Sequence, residues 1–217
     1  RRWTRLCPDL AYPLPQGEGI LSIYALKPRF QALLRPLTAA LYRGGVTANQ
    51  VTVAACAVSV ALGVLLALRP SASALFLLLP LWLLLRMALN AIDGMLAREF
   101  GQQSRLGGYL NELGDVVSDA ALCAPFALLP GSNPWLVAAI AVLAVISEMA
   151  GVLGAQRRYD GPMGKSDRAF VFAVLALLIG TGVPVAGALD WVWGAMLALL
   201  LVTIFNRVRR GLNDAQR

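Results

Sequence analysis

Between Asn90 and Asp119 the chain reads NAIDGMLAREFGQQSRLGGYLNELGDVVSD, and its capacity for chemistry is concentrated there. Asn90, Asp93, Gly94 and Ala97 fall at i, i+3, i+4 and i+7, which is one face of a helix. Arg98 closes that helix about 7–8 Å further along the axis, at about 1.5 Å per residue. Gly107, Asn111, Asp115 and Asp119 recur every fourth residue and form a second face. The connection is short, so the two helices are expected as antiparallel neighbours whose polar faces meet at similar depth. Carboxylates and amide oxygens are hard donors of the kind that hold Mg²⁺, Mn²⁺ or Ca²⁺. Gly94, Ala97 and Gly107 remove bulk, so a large ligand can approach the backbone. Arg98 and Arg105 offer planar cations suited to phosphate. Each residue also has a plainer reading. Asn90 and Asn111 can bond helix to helix, the glycines can allow close packing, and Asp119 can partner an arginine or a hydroxyl. Glu112, about 100° round from Asn111, reads as solvated or facing headgroups.

These faces lie in a chain that otherwise looks like membrane. Of 217 residues, 58% are hydrophobic and 14% charged, and the mean hydropathy is +0.66, too apolar for an ordinary soluble domain. Six apolar segments follow one another at about 49–69, 73–99, 106–129, 134–157, 168–184 and 187–205. The expected fold is all-α: a polytopic bundle of six transmembrane helices in one domain spanning 21–217. Before it, Leu21–Tyr42 carries apolar residues at helical spacing with Lys27, Arg29, Arg35 and Arg43 between them. That pattern predicts an amphipathic interfacial helix. Residues 1–20, with three prolines and no periodicity, are expected to be unstructured or upstream-translated, with the natural start near Leu21.

Lys and Arg cluster in alternate connections: Arg43, then Arg98 and Arg105, then Arg157, Arg158, Lys165 and Arg168, then Arg207, Arg209 and Arg210. The positive-inside rule puts those loops and both termini in the cytoplasm. The polar ends of the second and third spans open to the same side. A net charge of +7 then reads as loops facing anionic lipid rather than nucleic acid. There is no histidine, which excludes His–metal and Ser–His chemistry. Cys7, Cys56 and Cys123 lack metal-site spacing. No internal repeat is visible, which argues against a secondary transporter with a cation site between its spans. An ionised aspartate at the bilayer centre costs about 2.5–3.5 kcal/mol on insertion scales, so several on facing helices point to a site. Metal ligands, phosphate-binding cations and a membrane-embedded mouth together suggest a lipid substrate bearing a diphosphate.

The pattern resembles the signature of the CDP-alcohol phosphatidyltransferase family, D-x2-D-G-x2-A-R, about eight residues, then G-x3-D-x3-D. Asp93, Gly94, Ala97, Arg98, Gly107 and Asp115 match it; the first and third aspartates are Asn90 and Asn111. A register ending on Asp115 and Asp119 would put Asn111 in the glycine's place, a worse fit. Upstream, VTANQVT with Asn49 and Thr52 is similar to the family's T-P-N-x-x-T. The resemblance covers essentially 21–210 and implies the six-span bundle, a homodimer and a site in a bacterial inner membrane.

Carried over position by position, the resemblance implies that Asp93, Asn90, Asn111 and Asp115 hold Mg²⁺ or Mn²⁺. Asn49, Thr52, Gly94, Ala97, Arg98, Arg105 and Gly107 would bind substrate. Asp115 would take the proton of the acceptor alcohol. The reaction would move a phosphatidyl group from CDP-diacylglycerol to that alcohol and release CMP. Lys165 and Arg168, in the loop QRRYDGPMGKSDRA, would face the acceptor, such as a polyol phosphate. Glu148 is an intramembrane acid expected to pair with one of those cations. Two asparagines in place of aspartates remove two charges. That favours one metal, or a second held mainly by substrate phosphates. It also admits a protein that binds the nucleotide lipid without turning it over.

Overall fold

A computed structural model describes residues 26–153 and 158–214, so the expectation for residues 1–20 and the position of Arg157 lie outside the described residues. The described chain is helical, with α1 Leu26–Arg43, α2 Ala48–Leu68, α3 Leu78–Glu99 and α4 Arg105–Cys123, then α5 Pro134–Val152, α6 Lys165–Gly180 and α7 Leu189–Asp214. Short 3-10 turns, Ser73–Leu77 and Ala124–Leu128, lead into α3 and out of α4.

Six helices thus follow α1, one for each apolar segment. Four stretches among the described residues are long and apolar enough to cross a membrane: Ala48–Leu68, Ser73–Glu99, Pro134–Val152 and Leu189–Asn213. The other two fall short for visible reasons. Helix α4 carries Arg105, Glu112, Asp115 and Asp119 within 19 residues, and α6 has only 16 residues and opens on Lys165, Asp167 and Arg168. Helix α1 runs through Pro36, although proline cannot donate the backbone bond of that turn.

Local chemistry sets the helix starts. Thr47 and Gln50 form a reciprocal capping box on α2. The Ser104 hydroxyl accepts from Gly107 N at 2.9 Å and caps α4. Asn133 caps α5, with Pro134 in the first turn.

The main core gathers Leu66, Leu79, Ile140 and Leu200 around the rings of Phe76, Phe126, Phe172 and Trp193. A smaller core of Ala48, Val51, Ile92, Met95 and Leu96 sits where α2 and α3 receive Leu34 and Leu41 of α1. Beside them on α1, Leu33 and Leu37 stay exposed.

Helix α2 packs intimately on α4. A Cβ added at Gly63 would lie 2.2 Å from the carbonyl oxygen of Ala121, and backbone cannot yield as a flexible side chain would. Gly63→Leu should therefore lower the melting temperature of detergent-solubilised protein well below that of Gly108→Leu, a site where an added Cβ meets nothing within 4 Å. Equal effects of the two substitutions would contradict this packing.

Candidate active site

Helix α2 packs against both α3 and α4. The side chain of Asn49 lies against Gly107, where a Cβ would come within 2.7 Å of its Oδ1. Thr52 Oγ1 donates to Asp93 Oδ2 at 2.7 Å. Asp93 is buried on α3. One turn further along, the Arg98 guanidinium folds back over Gly94, where an added Cβ would meet its Nη2 at 2.7 Å. Asn49 and Thr52 of α2 thus reach Gly107 of α4 and Asp93 of α3, with Gly94 and Arg98 on the same stretch of α3, and this region is the candidate cleft. Ala97 packs with the smaller core rather than lining the cleft by contact, and Arg105 is exposed at the start of α4.

Asn111 is half-buried on α4. The Asn90 amide donates to Asp115 Oδ1 at 3.4 Å, which leaves its own carbonyl oxygen turned to other uses. The loop between α3 and α4 is held to α2 by Gln102, whose Oε1 accepts from Ala48 N at 2.7 Å.

Behind this cleft runs a chain of buried charge that the motif alone did not announce. Arg86 donates to Asp119 at 2.7 Å and to Asp115 at 3.0 Å. Lys165 Nζ pairs with Asp115 Oδ2. Arg168 bridges Asp119 at 3.2 Å and Glu148 at 3.3 Å. Arg207 reaches Glu148 at 3.6 Å and donates to the Ser147 carbonyl at 2.6 Å. The chain links α3, α4, α5, α6 and α7. Arg86, Arg168 and Arg207 are each 5% exposed or less, so each cation depends on its acids for compensation.

Asp119 therefore partners two arginines, and Glu148 finds both Arg168 and Arg207. From the sequence, Glu112 is expected to be solvated or to face headgroups. It is half-buried and lines a cavity with Asp115, Asp119, Glu148, Lys165 and Arg168.

The loop from Arg158 to Gly164 sets where Lys165 and Arg168 stand. Gly161 takes φ +120, and a Cβ there would strike Thr203 at 2.5 Å. Thr203 Oγ1 accepts from Met163 N at 2.9 Å. Arg207 Nε donates to the Asp160 carbonyl at 3.2 Å. Gly164 N donates to Asp167 at 2.9 Å and starts α6.

Partial burial works against the Asp160 carboxylate ionising, but hydrogen bonds from Arg158 and Arg210, with their charges, outweigh it and hold the group below its ordinary value. Its contribution to stability is complete above the unfolded carboxylate pKa and is lost as pH falls from about 5 through the depressed native value. Asp160→Asn should flatten the acid limb of a melting-temperature profile between about pH 5 and 3. An unchanged acid limb would remove Asp160 from the account.

The oxygen donors fit one hard cation better than two. By donor chemistry, the one carboxylate and two amide oxygens expected from Asp93, Asn90 and Asn111 carry charge for one such ion rather than two. Asp115 already carries Arg86, Lys165 and Asn90. Among the described residues no three acidic, cysteine or histidine side chains converge on a common point.

The family model for CDP-alcohol phosphatidyltransferase matches residues 45–205, and the chain belongs to that family of phosphotransferases for substituted phosphate groups. The chain is 47% identical over 193 residues to "Inner membrane protein YnbA" of Escherichia coli (strain K12), covering 87% of this chain and 96% of that protein.

Proposed function

We propose that the protein transfers the phosphatidyl group of CDP-diacylglycerol to an alcohol and releases CMP, at the cytoplasmic face of a bacterial inner membrane. One observation carries this reading. Asp115 touches Asn90 across the cleft of α2, α3 and α4 and also lines the cavity on the far side of α4. A carboxylate so placed borders a nucleotide site and an acceptor site at once.

In this reading the cytidine diphosphate lies over Gly94 and Gly107, beside Asn49 and Thr52, with Arg98 and Arg105 on its phosphates. Asp93, Asn90 and Asn111 would hold Mg²⁺ or Mn²⁺, which when bound neutralises diphosphate charge. The acceptor hydroxyl gives its proton to Asp115. Its oxygen bonds to the phosphorus that bears the diacylglycerol. The bond from that phosphorus to the bridging oxygen breaks, and CMP leaves with the electron pair. Lys165 and Arg86 hold the Asp115 carboxylate in place from two sides.

The membrane arrangement is part of the proposal. All six helices from α2 to α7 form one domain across the bilayer, α1 lies in the interface with Leu33 and Leu37 toward lipid, and both termini face the cytoplasm. The basic residues at the Arg43, Arg98, Arg168 and Arg210 ends support that orientation. A homodimer completes it.

Purified protein given CDP-diacylglycerol, Mg²⁺ or Mn²⁺ and a panel of alcohols tests the reading through acceptor-dependent CMP release. A second reading, a protein that binds the nucleotide lipid without turnover, draws on Asn90, Asn111 and the two cations already on Asp115. Saturable CDP-diacylglycerol binding with no CMP under any condition would select it.

A further inference from the structure

The cavity lined by Asp115 narrows the acceptor. Its walls come from α3, α4, α5 and α6, and it holds about 770 Å³ including its open mouth. None of its described lining residues lies on α2, the helix that carries Asn49 and Thr52. The nucleotide cleft and this cavity therefore meet at Asp115 from different sides of α4.

The cavity has two kinds of wall. One part carries Glu112, Asp115, Asp119, Glu148, Lys165 and Arg168; the rest is apolar and includes Leu83, Ile140, Ala141, Ala144 and Phe172. Among the described lining residues four acids face two bases. Both bases are already matched, Lys165 by Asp115 and Arg168 by Asp119 and Glu148. Arg86 and Arg207, just behind the wall, are matched by the same acids. A phosphorylated acceptor would bring about 1.5–2 negative charges beside these carboxylates. Binding it would require stripping a cation from a half-buried acid. An uncharged hydroxyl needs no such exchange, because it can donate to a carboxylate and accept from an ammonium. The apolar wall then has to be covered by the body of the same molecule.

We infer that the acceptor is an uncharged amphiphilic alcohol, with its hydroxyl at Asp115 and an alkyl or acyl chain along Ala141, Ala144 and Phe172. This rests on the transferase reading for its chemistry and on the cavity for its selectivity. The hydroxyl oxygen forms the new bond to phosphorus, Asp115 receives the proton, and CMP is the leaving group, as above.

The test uses the full chain in phosphatidylcholine nanodiscs with CDP-diacylglycerol and Mn²⁺. Two acceptors are compared, 1-decanoylglycerol and glycerol 3-phosphate. Equilibrium binding of radiolabelled 1-decanoylglycerol is measured alongside CMP release. At least tenfold higher kcat/KM is expected for decanoylglycerol. Ala144→Trp should raise its KM more than tenfold while moving the KM for CDP-diacylglycerol less than twofold. Ala141→Phe serves the same purpose should the tryptophan variant fail to give monodisperse protein.

If no acceptor yields CMP but decanoylglycerol binds saturably and Ala144→Trp abolishes that binding, the cavity assignment stands and the transferase reading falls. A preference for glycerol 3-phosphate overturns the inference. So does a rise in the CDP-diacylglycerol KM of Ala144→Trp in place of the acceptor's, which would put a donor chain in the cavity. Absence of saturable decanoylglycerol binding together with absence of its turnover overturns it as well.

Discussion

Asp115→Asn should cut CMP release by about 10²–10⁴-fold, the range general-base catalysis supplies, while CDP-diacylglycerol binding changes less than threefold. The amide keeps the shape and can still meet Asn90, but it cannot take the acceptor's proton. The nucleotide side of the cleft is untouched, since Thr52 still holds Asp93 and Asn49 still lies on Gly107. Single-turnover kinetics beside equilibrium binding would separate the two quantities. A loss of binding as large as the loss of turnover would make Asp115 a group that holds the substrate rather than one that accepts a proton.

Arg86→Leu should be the most damaging single change to the fold. It removes the shared partner of Asp115 and Asp119 from a nearly closed site. Breaking a buried pair from one side costs about 3–5 kcal/mol, and the low end applies here because Lys165 still meets Asp115 and Arg168 still meets Asp119. At about 2–4 °C per kcal/mol for a chain of this size, the melting temperature should fall by about 6–12 °C. Arg86→Leu combined with Asp119→Leu should recover part of that loss, because the carboxylate left with one of its two arginines is gone and Arg168 keeps Glu148. Thermal unfolding in detergent, followed by circular dichroism, would read both variants. A double variant no more stable than the single one would mean that this ion pair is not what holds α3 to α4.

The helices and the cleft were legible for a simple reason. Hydrophobic length fixes where α2, α3, α5 and α7 run, and fourfold spacing puts Gly107, Asn111 and Asp115 on one face. The end of α7 was not legible by that route. The apolar run fades near 205, yet the helix continues to Asp214, with Arg207 buried by its bonds to Ser147 and Glu148. Hydropathy counts such an arginine as loop when its partners lie far off in the chain. Arg86 escaped for the opposite reason. It sits alone in an apolar stretch, outside any motif, and only the fold shows which acids it serves. A lone intramembrane arginine is itself a signal that compensating carboxylates must exist nearby, but Asp93 is nearer in the sequence than Asp115 and Asp119, the two it serves. The role of Gly161 depends on how close α7 comes, and no local pattern states that.

The charge chain also bears on how the polypeptide is made. Helix α4 emerges from the ribosome carrying two aspartates whose partners are split in time. Arg86 has already been synthesised, whereas Lys165 and Arg168 follow only after α5. At that moment Arg86 is the one ion-pair partner among the described residues that either aspartate has, which favours entry of α3 and α4 together. The later arrival of α6 then closes the ring of charge. Assembly is accordingly expected to be ordered, with the ion pairs of α4 complete only once the chain beyond residue 168 has been delivered.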